Sequence, residues 1–219
     1  MYDIHFDKPI WVHFIGIGGI SMSGLAEILL DRGFKVTGSD MKASPLTDHL
    51  ASLGVKIYVP QSSENVQDGV ELCIYTAAIS ESNPELKEVK RRGIPVMSRA
   101  ELLGRIMRNY KEAINVSGTH GKTTTTSMIG EILMEAQMDP TITVGGMMKD
   151  IGGNLRVGKS DVFLAEACEY TNSFLSFFPT IEVVLNVEAD HLDFFKDIND
   201  IRNSFRKFIE KLPEHGIFV

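Results

Sequence analysis

The sequence predicts an α/β protein, a Rossmann-like parallel sheet followed by a partial P-loop ATPase-type α/β domain. Three observations predict it. Short apolar runs alternate with stretches of helical periodicity through the 219 residues; two of those runs end in glycine-rich turns; and the pattern restarts near residue 111. Strand and helix in alternation require right-handed crossovers, and therefore a parallel, doubly wound sheet.

Residues 10–15, IWVHFI, read as a buried strand that feeds the cluster Gly16-Ile17-Gly18-Gly19. ISMSGLAEILLDRG then carries apolar residues at helical spacing and stops at Gly33, while FKVTGSD is the next strand, ending at Asp40. SPLTDHLASLG is a capped helix with Pro45 in its first turn, and residues 55–59 are a third strand. VELCIYTAAI and IPVMS continue as strands, NPELKEVKRRG and SRAELLGRIMRN as helices, the last opening on a serine cap. Residues 1–110 form the first expected domain.

Residues 111–219 form the second. They read as a strand at 113–117, a glycine-rich loop, a helix from 122 to 136 and the strand TITVG. A loop, GGMMKDIGGN, precedes the strand DVFLAEA; a polar-aromatic loop precedes the strand IEVVLNV; a helix spans 198–211. The closing GIFV reads as a strand just begun, so the chain is expected to be the N-terminal portion of something longer.

Composition narrows the partners. Hydrophobic residues make up 43 % and charged residues 23 %, which fits a soluble globular protein. The formal net charge of −7 disfavours nucleic acid and anionic membrane, because the long-range field repels polyanions. No apolar run reaches the roughly 20 residues of a spanning helix. The N-terminus lacks the basic and apolar regions of a secretory signal. Two cysteines, Cys73 and Cys168, without metal spacing point to a reducing, cytoplasmic compartment.

Two loops carry the chemistry. In GIGGIS, Gly16 and Gly18 match G-x-G-x-x-G with Ser21 in the third place. Such glycines let the backbone approach a diphosphate seated on the helix N-terminus, and Asp40 at the next strand's end is placed for a ribose hydroxyl. The loop by itself leaves NAD, FAD and a UDP-sugar undistinguished. In SGTHGKTTTT, the segment Gly118-Thr119-His120-Gly121-Lys122-Thr123-Thr124 joins a strand to a helix. Its backbone amides suit an anion nest, with Lys122 neutralising phosphate oxygens and Thr123 offering its hydroxyl to Mg²⁺. Position 116, where a Walker A loop has glycine, is Val. In a parallel sheet, Glu166 after DVFLAE and Glu188, Asp190 and His191 in NVEADH come to the same edge as Lys122 and Thr123. Glu166 and Glu169 also fit solvated loop acids, and Asn186 ranks with Asp190 as a lesser candidate.

HFIGIGGISMSGLAE, GSD, SGTHGKTTTT, EACEY followed by NSFL, and NVEADHLD together resemble the Mur ligases of peptidoglycan synthesis, most nearly the alanine-adding branch. The match runs through nearly all of the chain, in order. The resemblance implies an ATP-dependent carboxylate-amine ligase that joins L-alanine to UDP-N-acetylmuramate through an acyl phosphate. It implies ATP and Mg²⁺ as cofactors, with Lys122, Glu166 and His191 as the catalytic set. Lys122 holds the β- and γ-phosphates, Thr123 and Glu166 bind one Mg²⁺, and His191 binds a second. Gly18, Gly19, Ser21, Met22 and Ser23 line the UDP-sugar diphosphate, with Asp40 near its nucleoside. Ser21 and Cys168 depart from the pattern, where a glycine and an aspartate are common. The resemblance also implies a third domain that contributes the adenine and alanine sites and part of the muramate site, so that this chain by itself is expected to be an inactive fragment. A recycling ligase that adds a whole peptide, and an NAD-binding oxidoreductase or nucleotide-sensing module, are the alternative readings.

Overall fold

A computed structural model describes residues 2–219, which form two compact units dividing between Leu102 and Leu103. The first unit contains β1 (Trp11–Ile15), α1 (Ile20–Asp31), β2 (Lys35–Ser39), α2 (Pro45–Ser52), β3 (Lys56–Tyr58), β4 (Leu72–Tyr75), α3 (Pro84–Arg91), β5 (Val96–Ser98) and the start of α4 (Arg99–Met107). Its sheet has the order β3-β2-β1-β4-β5, with every pair parallel. Strand order reverses around β1, so the loop after β1 lies at the switch point where doubly wound sheets bind ligands.

Local chemistry sets these elements. The Ser44 hydroxyl accepts from the Thr47 amide while Thr47 Oγ1 accepts from the Ser44 amide, a capping box with Pro45 behind it. Asn83 caps α3 with its side-chain oxygen alone, which accepts from the Glu85 and Leu86 amides ahead of the helix that opens on Pro84. Under the first loop lies buried Glu85, which accepts hydrogen bonds from Asn65 Nδ2 at 2.6 Å and the Ser62 amide at 3.1 Å, and from the Ser39 hydroxyl. Its other neighbour is His13 Nε2 at 3.4 Å. Burial by itself would raise the Glu85 carboxyl, yet the bonds from His13, Ser39 and Asn65 hold it below the usual carboxylate range. The network fixes Ser39, whose carbonyl takes the amides of Gly16 and Ile17, each at 2.9 Å.

The second unit contains β6 (Glu112–Ser117), α5 (Lys122–Glu135), β7 (Thr141–Met148), β8 (Gly153–Arg156), β9 (Val162–Glu166), β10 (Ile181–Val184), α6 (Ile198–Ile209) and β11 (Ile217–Phe218). Its sheet has the order β11-β10-β6-β9-β7-β8. All pairs are parallel except β7 with β8. The expected loop at GGMMKDIGGN is therefore an antiparallel hairpin. β7 runs three residues beyond TITVG because Gly145 and Gly146 keep strand geometry while leaving room for neighbouring side chains. The expected polar-aromatic loop contains a 3-10 segment, Tyr170–Ser176.

Val116, Ile142, Val144, Met148 and Leu164 form the core on the α5 face. There Gly130 lets the helix approach to where a Cβ would lie 3.2 Å from Ile142 Cδ1. α6 turns Phe205 and Phe208 onto buried Phe174, with ring centroids 5.2 and 4.4 Å away. Each such pair adds about 0.5–1.5 kcal/mol beyond its buried area. α4 passes so close to the 3-10 segment that a Cβ on Gly104 would lie 1.9 Å from the Ser176 carbonyl oxygen. Gly104→Ala is therefore expected to cost about 1–3 kcal/mol, with roughly 2–4 °C of Tm lost per kcal/mol. A thermal melt unchanged by this substitution would show that the contact carries no packing constraint. Among the described residues no helix is long and apolar enough to cross a membrane.

Candidate nucleotide and phosphate sites

In the first unit, β1 ends at Ile15, Gly16 with φ of +83° turns the chain out of the sheet, and α1 begins after Gly19. Gly18 and Gly19 line this turn, with Gly19 and Ser21 exposed. The Met22 side chain is 2 % exposed and sits in the core. Ser23 is turned back to donate from its hydroxyl to the Ile20 carbonyl at 2.9 Å. Met22 and Ser23 thus face away from the loop's open side. Helix geometry leaves the amides of the first turn without intrahelical partners, so Ser21 and Met22 offer backbone donors there. Asp40 Oδ2 accepts from the Gly18 amide at 2.9 Å, and Oδ1 from the Met41 amide at 2.7 Å. A carboxylate expected to face a ribose is instead seated on the loop itself. Gly18 has no spare room, since a Cβ there would lie 2.9 Å from Asp40 Oδ2.

In the second unit, Gly118 has φ +136° and Gly121 φ +84°, the latter at the N-cap of α5. The loop is laced to the chain after β10. The Thr119 amide donates to the Asn186 carbonyl at 3.1 Å, and the His120 amide to Asn186 Oδ1 at 2.9 Å. Asn186 Nδ2 donates to the His120 carbonyl, and Thr119 Oγ1 accepts from the Glu188 amide at 2.9 Å. The sequence reading treats the loop's amides as one anion nest. The structure gives Thr119 and His120 to Asn186 and leaves the head of α5, at Gly121, Lys122, Thr123 and Thr124, as the open donor set. The helix dipole and these unpaired amides favour a phosphate in front of them. His120 projects its exposed ring toward Glu188, 3.9 Å away.

Lys122 Nζ donates to the carbonyls of Gly118 at 2.6 Å and Thr119 at 3.1 Å, and to the Glu169 carboxylate at 2.9 and 3.1 Å. The Glu169 side chain is only 3 % exposed, so this charge is buried and needs its partner. Glu169 Oε1 lies 3.8 Å from His191 Nε2. His191 has φ +52°, and Tyr170 lies against its ring with centroids 4.6 Å apart. A non-glycine residue held in this region is a form of local strain often found at functional sites. Thr123 Oγ1 donates to Glu166 Oε2 at 2.8 Å, and the Gly145 amide donates to the same oxygen at 2.8 Å. Hydroxyl and carboxylate thus converge at the helix head. This oxygen pair fits Mg²⁺, which commonly takes one or two protein oxygens and completes its shell with water and substrate phosphates.

Residues 11–111 match the family model described as Mur ligase family, catalytic domain, and residues 116–219 match that of the Mur ligase middle domain. The chain belongs to the Mur ligase family. A UDP-N-acetylmuramate--L-alanine ligase of Lachnospira eligens is 62 % identical over the whole chain, and one of Agathobacter rectalis 64 %. This Mur ligase chain spans about half the length of those curated relatives, 48 % in each case. Among solved structures, a UDP-N-acetylmuramate-alanine ligase from Thermotoga maritima is 32 % identical with a TM-score of 0.81, the match covering 93 % of this chain and 47 % of that one. A UDP-N-acetylmuramate:L-alanyl-gamma-D-glutamyl-meso-diaminopimelate ligase from Neisseria meningitides is 28 % identical with a TM-score of 0.84, covering 96 % and 71 %.

Three members of this Mur ligase's second site carry more of its geometry than the sequence gives them. Asn186 is the brace of the phosphate loop, and Glu169 is the counter-ion of Lys122. The second glutamate of EACEY is three residues beyond the end-of-strand acid, and spacing gives no sign that the chain curls back over the loop there. Gly145 is a third, visible in sequence only as a glycine inside a strand, which marks close approach by a neighbour.

Proposed function

We propose that the chain carries the UDP-sugar and ATP sites of a ligase that joins L-alanine to UDP-N-acetylmuramate, with residues 1–110 binding the UDP-sugar and residues 111–219 the ATP. The observation that carries the reading is the Thr123 and Glu166 oxygen pair beside Lys122 at the head of α5. The identity of 62–64 % to alanine ligases supports the choice of substrates.

The reaction consists of two displacements. A muramate carboxylate oxygen attacks the γ-phosphorus and ADP departs; the neutral alanine amine then attacks the acyl carbon, and inorganic phosphate leaves carrying the proton that the amine loses. Mg²⁺, when bound, supplies charge neutralisation to the phosphate oxygens. Thr123 and Glu166 would hold it, and His191 is the proposed ligand of a second ion. The amides of the α5 head orient the phosphates. Lys122 stays paired with the buried Glu169 carboxylate while its charge faces the phosphate oxygens, so neither buried charge is left without its partner. In the first unit, the loop at Gly18 and Gly19 with the backbone of Ser21 and Met22 takes the diphosphate, and Asp40 must leave the Gly18 amide for that amide to serve.

Calorimetric titration with UDP-N-acetylmuramate and, separately, NAD tests the assignment of the first unit. Saturable binding of the UDP-sugar and none of NAD is expected; NAD binding without UDP-sugar binding would overturn it. The peptide-adding ligase is the second reading, favoured by the Neisseria structure. Ligation assayed with L-alanine against L-alanyl-γ-D-glutamyl-meso-diaminopimelate separates the two.

A further inference from the structure

Three polar side chains are buried on one face of the second sheet, behind the phosphate loop. Asn115 and Ser117 lie two residues apart on β6 and so share a face; Glu182 on β10 is the cross-strand partner of Asn115. All three are fully buried. The Ser117 hydroxyl donates to Glu182 Oε1 at 2.5 Å. Glu182 Oε2 and both amide atoms of Asn115, Oδ1 and Nδ2, are buried without a hydrogen-bond partner. Neither register neighbour of Glu182, Asn115 on β6 or Phe218 on β11, carries a charge.

Isolated polar atoms in an interior are costly and rare. An ionised carboxylate here would be fully buried with only neutral donors within reach, the Ser117 hydroxyl and at most the Asn115 amide, and neither register neighbour offers a cation to balance its charge. As the acid, Oε2 becomes a donor, and the unpaired Asn115 Oδ1 on the adjoining strand is the acceptor that matches it. We propose that Glu182 is held as a neutral acid paired with Asn115 and that, through Ser117, it is a positioning residue of the phosphate loop. Burial pushes its carboxyl up to about 8, partly offset by the bond from Ser117.

The path from Ser117 to the loop is short and tight. Ser117 precedes Gly118, where a Cβ would lie 3.1 Å from Leu185 Cβ and 3.2 Å from the Asn186 backbone. The Leu185 amide donates to the Ser117 carbonyl, and Gly118 carries the carbonyl that holds Lys122 Nζ. A shift of Ser117 therefore displaces the Lys122 anchor. The inference rests on the reading that this loop takes a triphosphate.

Infrared difference spectra of the chain at neutral pH and Mg·ATP titrations test it together. A protonated-carboxyl stretch is expected in the wild type and absent from Glu182→Gln. Glu182→Gln, which keeps a donor and an acceptor in place, is expected to bind Mg·ATP as the wild type does. Glu182→Ala is expected to bind about tenfold more weakly or worse. Ser117→Ala makes the same cut without touching the acid and is expected to weaken binding likewise, which covers a failure of Glu182→Ala to fold. Absence of the carboxyl band overturns the neutral acid; wild-type affinity in both alanine variants overturns the positioning role. If the wild type binds no Mg·ATP, titration with magnesium triphosphate, which needs no adenine site, decides the triphosphate reading, and the band still decides the state of Glu182.

Discussion

Lys122→Ala is expected to abolish measurable Mg·ATP binding and to destabilise the chain in the same step. Two effects are superposed. The phosphates lose a charge-assisted donor at the head of α5, and the Glu169 carboxylate, 3 % exposed, loses the ammonium 2.9 Å away. Stranding a buried charge in this way costs about 3–5 kcal/mol, far more than an exposed pair would. The two effects separate in a second variant. Glu169→Gln in the Lys122→Ala background removes the stranded charge, so most of the lost stability is expected to return while Mg·ATP binding stays absent. Calorimetric titration and thermal melting of the single and double variants read both. If Lys122→Ala binds Mg·ATP like the wild type, Lys122 is not a phosphate ligand; if the double variant melts no higher than the single, Glu169 is not its buried counter-ion.

Gly145→Ala produces the opposite separation, a chain that keeps its fold and loses its metal-dependent affinity. A Cβ at Gly145 would lie 2.7 and 2.8 Å from the two carboxylate oxygens of Glu166. The backbone conformation there suits alanine, and the obstructing atoms end a flexible side chain, so Glu166 swings aside at small cost in stability. What it cannot keep is the 2.8 Å contact with Thr123 Oγ1 or the bond from the Gly145 amide. Mg²⁺ demands near-ideal geometry from its few protein oxygens. The nucleotide affinity gained on adding Mg²⁺ is therefore expected to fall by about tenfold or more, with Tm shifted by no more than a few degrees. Equal Mg²⁺ enhancement in variant and wild type would remove Glu166 from the metal site.

The fold was legible because each element carries its own signal. Ser44 with Pro45, Asn83 with Pro84, and Gly16 and Gly121 at positive φ mark their boundaries from local chemistry alone. The β7 and β8 hairpin was not legible. GGMMKDIGGN has the composition of a loop, and only pairing with a neighbour makes it extended. The candidate site divides along the same line. Lys122, Thr123 and Glu166 come from two segments whose strand-end placement is readable, and the structure brings Thr123 and Glu166 within hydrogen-bonding distance.

The sequence by itself determined the alternation of strands and helices, the two glycine turns and the residue types assembled at the head of α5. These follow from side-chain periodicity, capping and backbone freedom, which act within a few residues. Only the tertiary structure decided which polar groups are already occupied. It gave the Thr119 and His120 amides to Asn186, Lys122 to Glu169, the Gly18 amide to Asp40 and Ser117 to Glu182. Three of those partners lie 47 to 67 residues from the groups they satisfy, and the fourth lies 22 away. A hydrogen bond depends on distance in space to within a few tenths of an ångström, a quantity no local pattern encodes.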